Sequence, residues 1–313
     1  MMSRPSSSGH WQTLSPVEIA RSHAPTTEHD GKLYAFGGGG PDFKSLNSTI
    51  CFEPETGQWS NKADMPTLRS GAVAATIGDR IYVIGGGFRQ KDGNFRFLRT
   101  VDIYHPKTDT WESGPDMIQP HDYPAIAVLN NQIYVLGGHH PDATQGGPKT
   151  DPGFDFCERF DPDTNKWEAI APLPTPRFAL SALVVDGKIL AMGGVAFKPE
   201  GFNNFTVIEI YDSDTNSWSA SPEFALPWPA AGLGAAAAKE KLYIFGGYSD
   251  DDIHNRTSCY DFKTSTWTAT APVPAPVAAM GVCTINDTIY SVGGWADDGR
   301  TPITNFYALT PDE

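Results

Sequence analysis

Basic residues are scarce in this chain: 23 Lys and Arg stand against 37 Asp and Glu in 313 residues, a formal net charge of −14. Nucleic acids and anionic membrane surfaces are held by a basic footprint, which this composition does not supply. No apolar run approaches the roughly 20 residues of a membrane-crossing helix, and the opening MMSRPSSSGHW has no apolar signal core. The expectation is a soluble, cytoplasmic monomer that takes neither nucleic acid nor membrane. Cysteine is sparse too. Cys51, Cys157, Cys259 and Cys283 lie far apart with no C-x-x-C pair, which argues against a disulfide scaffold or a zinc site and for reduced, structural thiols. Glycine and proline are plentiful instead, 31 and 26 residues, so the chain turns often, as an all-β fold requires.

Two motifs recur. Short β-rich runs end in a glycine doublet six times: LYAFGG at Gly38, IYVIGG at Gly86, IYVLGG at Gly138, ILAMGG at Gly194, LYIFGG at Gly247 and IYSVGG at Gly294. An aromatic seven residues before a tryptophan occurs five times, ending at Trp59, Trp111, Trp167, Trp218 and Trp267, with a turn rich in Pro, Asp, Thr and Gly between the two. Successive doublets lie 48, 52, 56, 53 and 47 residues apart. Such a period means a supersecondary unit that buries its faces only against its neighbours.

These motifs resemble the kelch repeat over nearly the whole chain. The resemblance implies an all-β, six-bladed propeller of four-stranded antiparallel blades, with residues 1–9 a flexible N-terminus and 10–313 one propeller. Blade six has no tryptophan after Gly294, whereas Trp11 precedes Gly38 by 27 residues, the interval that also separates Trp59 from Gly86 and Trp111 from Gly138. The strand around Trp11 is therefore expected to close the ring against the strand of Phe306 and Tyr307.

Function is sought where the repeat breaks. From doublet to tryptophan, blades two, three and four run 25, 29 and 24 residues against the minimum of 20, so three adjacent blades carry insertions of 5, 9 and 4 residues. By analogy with kelch propellers these loops share a face with the connections between blades. Ten residues after each tryptophan stand Arg21, Arg69, His121, Arg177 and Val277, with Ala230 the shifted counterpart. In kelch propellers an arginine here often points to the channel mouth, either to close loop carbonyls or to receive an anion. Beyond the doublets, Phe88, Arg89, His139, His140, Tyr248 and Trp295 are expected to border the opening, and two extra residues before Trp228 push it toward the same face. His121 is the candidate proton carrier, paired with Tyr123 or His139. Strand alternation turns Asp122 away from the His121 ring. His139, His140 and Asp142 lack a third spaced ligand, so no metal and no other cofactor is called for. The acidic run around Asp250 and Asp252 reads as a solvated loop.

Stand-alone six-bladed kelch propellers include sialic-acid mutarotases, which move protons without a redox cofactor. No mutarotase-specific motif is matched, but an asymmetric wall over blades two to four, with arginines and histidines converging on the mouth, suits a small ligand. The expected function is therefore an isomerase, cyclase or lyase acting on a small polar or aromatic metabolite at the mouth. In that reading Arg21, Arg69 and Arg177 bind substrate, and Phe88, Arg89, Trp228, Tyr248 and Trp295 enclose it. The alternative is a protein-interaction module that binds an acidic peptide or partner protein through the same face.

Overall fold

In the computed structural model, which describes residues 9–144, 150–250, 252–296 and 301–312, each glycine-terminated run is a strand paired on both edges and buried on both faces. Lys32–Phe36 pairs with Thr26–His29 and Thr49–Glu53, and Gln58–Lys62 completes blade one. Blade two is Ser70–Ile77, Arg80–Arg89, Val101–His105 and Thr110–Ser113, and blade three is Ala125–Leu129, Gln132–Leu136, Cys157–Asp161 and Lys166–Ala169. Blade four comprises Ser181–Val185, Lys188–Met192, Val207–Asp212 and Ser217–Ala225. Blade five comprises Gly234–Ala238, Lys241–Phe245, Thr257–Asp261 and Thr266–Ala269. The first strand of every blade lies innermost, beside its counterparts in the neighbouring blades, and the six enclose a central channel.

Blade six joins the two ends of the chain. Gly281–Ile285, Thr288–Val292 and Phe306–Thr310 are followed on the outside by His10–Thr13, with Trp11 opposite Leu309 and Thr13 opposite Tyr307. The expected closure is what the chain forms. Gly9, assigned by the sequence to a flexible stretch, donates its amide to Asp312 at 2.8 Å; residues 1–8 of that stretch lie outside the described residues.

The tryptophans earn their repeat by their indole N–H groups, which need a partner when half-buried. Trp59 donates to Ser15 O, Trp111 to Ala63 O, Trp167 to Pro115 O, Trp218 to Ala171 O, Trp267 to Ala225 O and Trp11 to Ala271 O, at 2.8–3.3 Å. Each acceptor belongs to the preceding blade, so six indoles staple the ring in a closed cycle. Both glycines of every doublet have positive φ. In blade two a Cβ on Gly85 would lie 2.5 Å from His121 O, on the connection to blade three, and one on Gly86 would lie 2.5 Å from Ser70 O in the blade's own first strand, so the doublet packs directly on backbone.

Strand order fixes the faces. In an up-and-down blade the link between second and third strands and the connection to the next blade share one face, and the other two turns share the opposite one. The insertions of blades two to four therefore rise on the face that carries the inter-blade connections.

Candidate functional site

Twelve residues after a tryptophan, the chain reaches the axis. Trp11, Trp59, Trp111, Trp167 and Trp267 lead to His23, Gly71, Tyr123, Ala179 and Ala279, and the two-residue insertion after Trp218 shifts the sixth to Gly232. All six have φ between 49° and 66°, the left-handed region. Their amides form a closed chain around the axis: His23 N donates to Ala279 O, Gly71 to His23, Tyr123 to Gly71, Ala179 to Tyr123, Gly232 to Ala179 and Ala279 to Gly232, at 2.7–3.2 Å. Four of the six are not glycine, and holding each left-handed costs on the order of 1 kcal/mol or more. The hydrogen-bonded ring sustains that cost and holds His23 and Tyr123 at the axis.

This ring is the floor of a cavity of about 490 Å³ on the insertion face. The blade-two loop folds as a hairpin in which Phe95–Phe97 pairs with the end of Arg80–Arg89, and Phe95 and Phe97, on one face of it, both line the cavity. Blade four contributes a second hairpin, Val195–Lys198 with Gly201–Asn204, whose cross-strand pair Phe197 and Phe202 also faces in, rings 4.8 Å apart. Between them, blade three supplies Asp151, whose backbone exchanges hydrogen bonds with Phe197 at 2.6 and 2.8 Å. Tyr248 and Trp295, from blades five and six, close the wall, their rings 6.3 Å apart.

His139 sits in the middle of this wall. Its ring stacks on Phe178 at 3.9 Å and Phe97 at 5.7 Å, and meets Tyr123 edge-on at 5.0 Å. Its Nδ1 is hydrogen-bonded to the Asp151 carboxylate, which also accepts the amides of His140 at 3.1 Å and Gly153 at 2.9 Å. Burial alone would raise the Asp151 pKa, but these donors outweigh it and hold the carboxyl below the ordinary carboxylate value. Asp122 is the opposite case. It is buried, lines the cavity, and has an Oδ1 with no hydrogen-bond partner among the described residues. Burial, and then the charge of Asp151, push its pKa well above the usual range. Glycine is required beside it: a Cβ on Gly71 would lie 2.4 Å from Asp122 Oδ1 and 2.7 Å from the Tyr123 ring.

His23 is wedged between Tyr123 at 4.2 Å and Trp295 at 4.3 Å. Burial, reinforced by His139, lowers its pKa from 6.5 to about 3. The unfolded chain therefore binds more protons in this window, so stability present above pH 6.5 is lost as the pH falls toward about 3. Asparagine tolerates the left-handed conformation and does not titrate. His23→Asn is expected to flatten the acid limb of a stability-against-pH curve measured by urea denaturation; an unchanged limb would show that His23 does not govern it.

Several residues singled out by the sequence lie elsewhere. Arg21, Arg69 and Arg177 do not reach the mouth; they are buried in the propeller wall. Arg21 donates to Gly37 O at 3.2 Å, and Arg69 to Gly85 O at 3.0 Å and Asp102 at 2.6 Å. Arg177 donates to Ala191 O at 3.0 Å and Glu209 at 2.8 Å. His121 fills the same role in blade three, with Nδ1 2.6 Å from Gly137 O and Nε2 3.1 Å from Glu158. It is fully buried and is not among the cavity-lining residues, so it is no candidate proton carrier for a bound molecule. Trp228 is also buried, packed with Leu190, Leu226 and Leu233. The extra residues before it are absorbed upstream: Val207 pairs with Ala225 and Glu209 with Ala220, so five residues of the outer strand span two of its neighbour. Phe88 pairs with Arg96 on the opposite face of its hairpin from Phe95 and Phe97, and Arg89 is exposed, donating to Gly93 O at 3.3 Å. Neither lines the cavity. Tyr123, His139, Tyr248 and Trp295 do, and the structure brings them together. His23, Phe95, Phe97, Asp122, Asp151, Phe178, Phe197 and Phe202 were missed. Reading one and two positions beyond the arginine column finds Asp122, Phe178, His23 and Tyr123, and the alternation in FRF finds Phe95 and Phe97.

Among the described residues, no group of three or more His, Cys, Asp or Glu is arranged to hold a metal ion, and no helix is long and apolar enough to cross a membrane.

The family model for the KLHDC2/KLHL20/DRC7 Kelch-repeats domain matches residues 6–194 and 174–313. Beta-scruin of Limulus polyphemus is 27% identical over 82% of this chain and 28% of its own length. Kelch-like protein 23 of Mus musculus is 30% identical over 75% of this chain and 39% of its own. The chain thus spans well under half of these relatives. The solved structure of YjhT superposes with a TM-score of 0.80 at 17% identity, covering 95% of this chain and 97% of that one, which is a likeness of fold. Motifs, closed six-bladed ring and family match agree: this chain belongs to the kelch-repeat β-propeller family.

Proposed function

We propose that this propeller is a recognition module for a partner protein, and that the cavity on its insertion face receives one side chain or short segment of that partner. The observation that carries this reading is the cavity itself: about 490 Å³, walled by described residues of the blade-two, blade-three and blade-four insertions and lined largely by aromatic rings, the kind of pocket in which an anchoring side chain concentrates binding energy. Kinship with Kelch-like proteins supports a partner-binding role. An acidic peptide is disfavoured, since its carboxylates would meet the ionised Asp151 and the desolvated Asp122, while the guanidinium groups of Arg21, Arg69 and Arg177 are buried in the wall.

A peptide library selected on the unmodified protein tests this. Enriched peptides are expected to lose at least about tenfold in affinity on Trp295→Ala, equivalent to about 1.4 kcal/mol. Peptides that bind this variant as well as the parent would place recognition elsewhere.

A second reading, proton transfer on a small molecule in the same cavity, is favoured by one arrangement. His139 is fixed by a carboxylate and stands against Tyr123, a layout that can deliver or remove a proton. Mass spectrometry of a metabolite extract incubated with the protein and with His139→Gln tests it; a compound consumed only by the parent would establish turnover, and none would leave recognition as the function.

A further inference from the structure

We infer that the cavity selects a positively charged group on an apolar stem, an alkylammonium, which in a partner chain is a lysine side chain. The inference rests on the recognition reading and specifies its ligand.

Three observations converge. First, the lining offers carboxyl groups and π-faces: Asp122 and Asp151 stand among Phe97, Phe178, Tyr248 and Trp295, and none of the described lining residues is Lys or Arg. A cation over aromatic faces is held by the ring quadrupoles, and more strongly where water is excluded. Second, the two carboxylates are not equivalent. Asp151 is already engaged by His139 and by the His140 and Gly153 amides, whereas Asp122 carries a buried oxygen with no partner among the described residues. A buried polar atom without a partner is costly, and a cation brought to the cavity side of this carboxyl offsets part of that cost. Third, the local backbone is shaped around that carboxylate. Gly71 leaves the room that Asp122 occupies, and the amide of His139 binds Asp122 O at 2.7 Å, fixing its position. In the other blades the residue aligned with Asp122 is Ser22, Ser70, Phe178, Ala231 or Ala278, so the acid is particular to blade three.

The electrostatics exclude the opposite ligand. An anion would approach the ionised Asp151, no Lys or Arg of the described lining offsets it, and His139 is committed to Asp151. A guanidinium is matched by a bidentate carboxylate. Here Asp122 Oδ1 is buried against Gly71, so the carboxyl does not present both oxygens to the cavity, which suits a compact ammonium. The phenylalanine and tryptophan faces then receive the methylene stem, as lysine stems commonly lie along apolar surface.

Binding is measured by ligand-observed NMR on the full chain with three nearly isosteric probes, Nα-acetyl-lysine amide, Nα-acetyl-norleucine amide and Nα-acetyl-glutamate amide, together with n-butylammonium. The lysine probe is expected to bind at least about tenfold tighter than norleucine, with glutamate weakest, and n-butylammonium to compete with it. Norleucine or glutamate binding as tightly as lysine overturns the inference, and requires no variant. In Asp122→Asn, checked for an unchanged circular-dichroism spectrum, the preference for lysine over norleucine is expected to vanish; a preference that persists assigns it to another group and overturns the role of Asp122. Should selected peptides require Trp295 but show no basic residue, the recognition reading stands and this one fails. Competition by n-butylammonium with no peptide bound would instead retain the ammonium site and remove the partner.

Discussion

Deleting residues 1–15 is expected to lower the melting temperature by at least about 10 °C, because the deletion opens the ring and does not merely trim an end. His10–Thr13 is the outer strand of blade six and forms its ladder with Phe306–Thr310. Trp11 adds an indole bond to Ala271 O at 3.1 Å and edge contacts with Phe245 at 4.9 Å and Tyr307 at 6.4 Å. Without this strand, Phe306–Thr310 becomes an unpaired edge, and blades five and six lose their staple. Trp11→Ala isolates the side chain and is expected to cost about 3 kcal/mol. Calorimetric melting curves that coincide for the parent and the deletion would remove closure from the account.

The second large effect concerns arginine. Arg69→Ala is expected to cost about 3–5 kcal/mol of stability, since it leaves Asp102 buried without its cation. Burial lowers the Arg69 pKa and raises that of Asp102, in each case outweighing the attraction between them, so the pair is costly to break without being a large net source of stability. Removing the guanidinium raises the Asp102 pKa further. A raised folded-state pKa gives stability that is present at low pH and lost as the pH rises, so the variant should be more stable in mildly acid than in alkaline buffer. Urea denaturation across pH measures this. An Arg69→Ala protein of parental stability that has lost ligand binding would restore the anion-binding role suggested by the sequence.

The fold was legible because its cause is periodic. Glycine doublets need positive φ against a neighbouring backbone, and each tryptophan needs a carbonyl in the preceding blade, so both leave marks at fixed spacing. Blade count, closure by Trp11 and the raised wall over blades two to four follow from those marks. The site was legible only in part. Arg21, Arg69, Arg177 and His121 drew attention because charge stands out in a pattern, yet they stand one turn of the connection too early and face back into their own blades. The residues at the axis are chemically unlike one another, His, Gly, Tyr, Ala, Gly and Ala, and what unites them is a backbone conformation that letters do not display. Trp228 misled for a related reason. An insertion shows its length in sequence but not where the chain absorbs it, here a bulge in the outer strand of blade four.

The central claim is that the insertion-face cavity is where this propeller meets its partner. Amide hydrogen exchange of the protein with and without a selected peptide tests it most directly. Protection is predicted at Asp122–Tyr123, His139, Asp151, Phe197 and Trp295, with the turns on the opposite face at Asp79, Asn131 and Asp287 unchanged. Protection at those turns or along the outer strands, with the cavity residues exchanging as in the free protein, would contradict it.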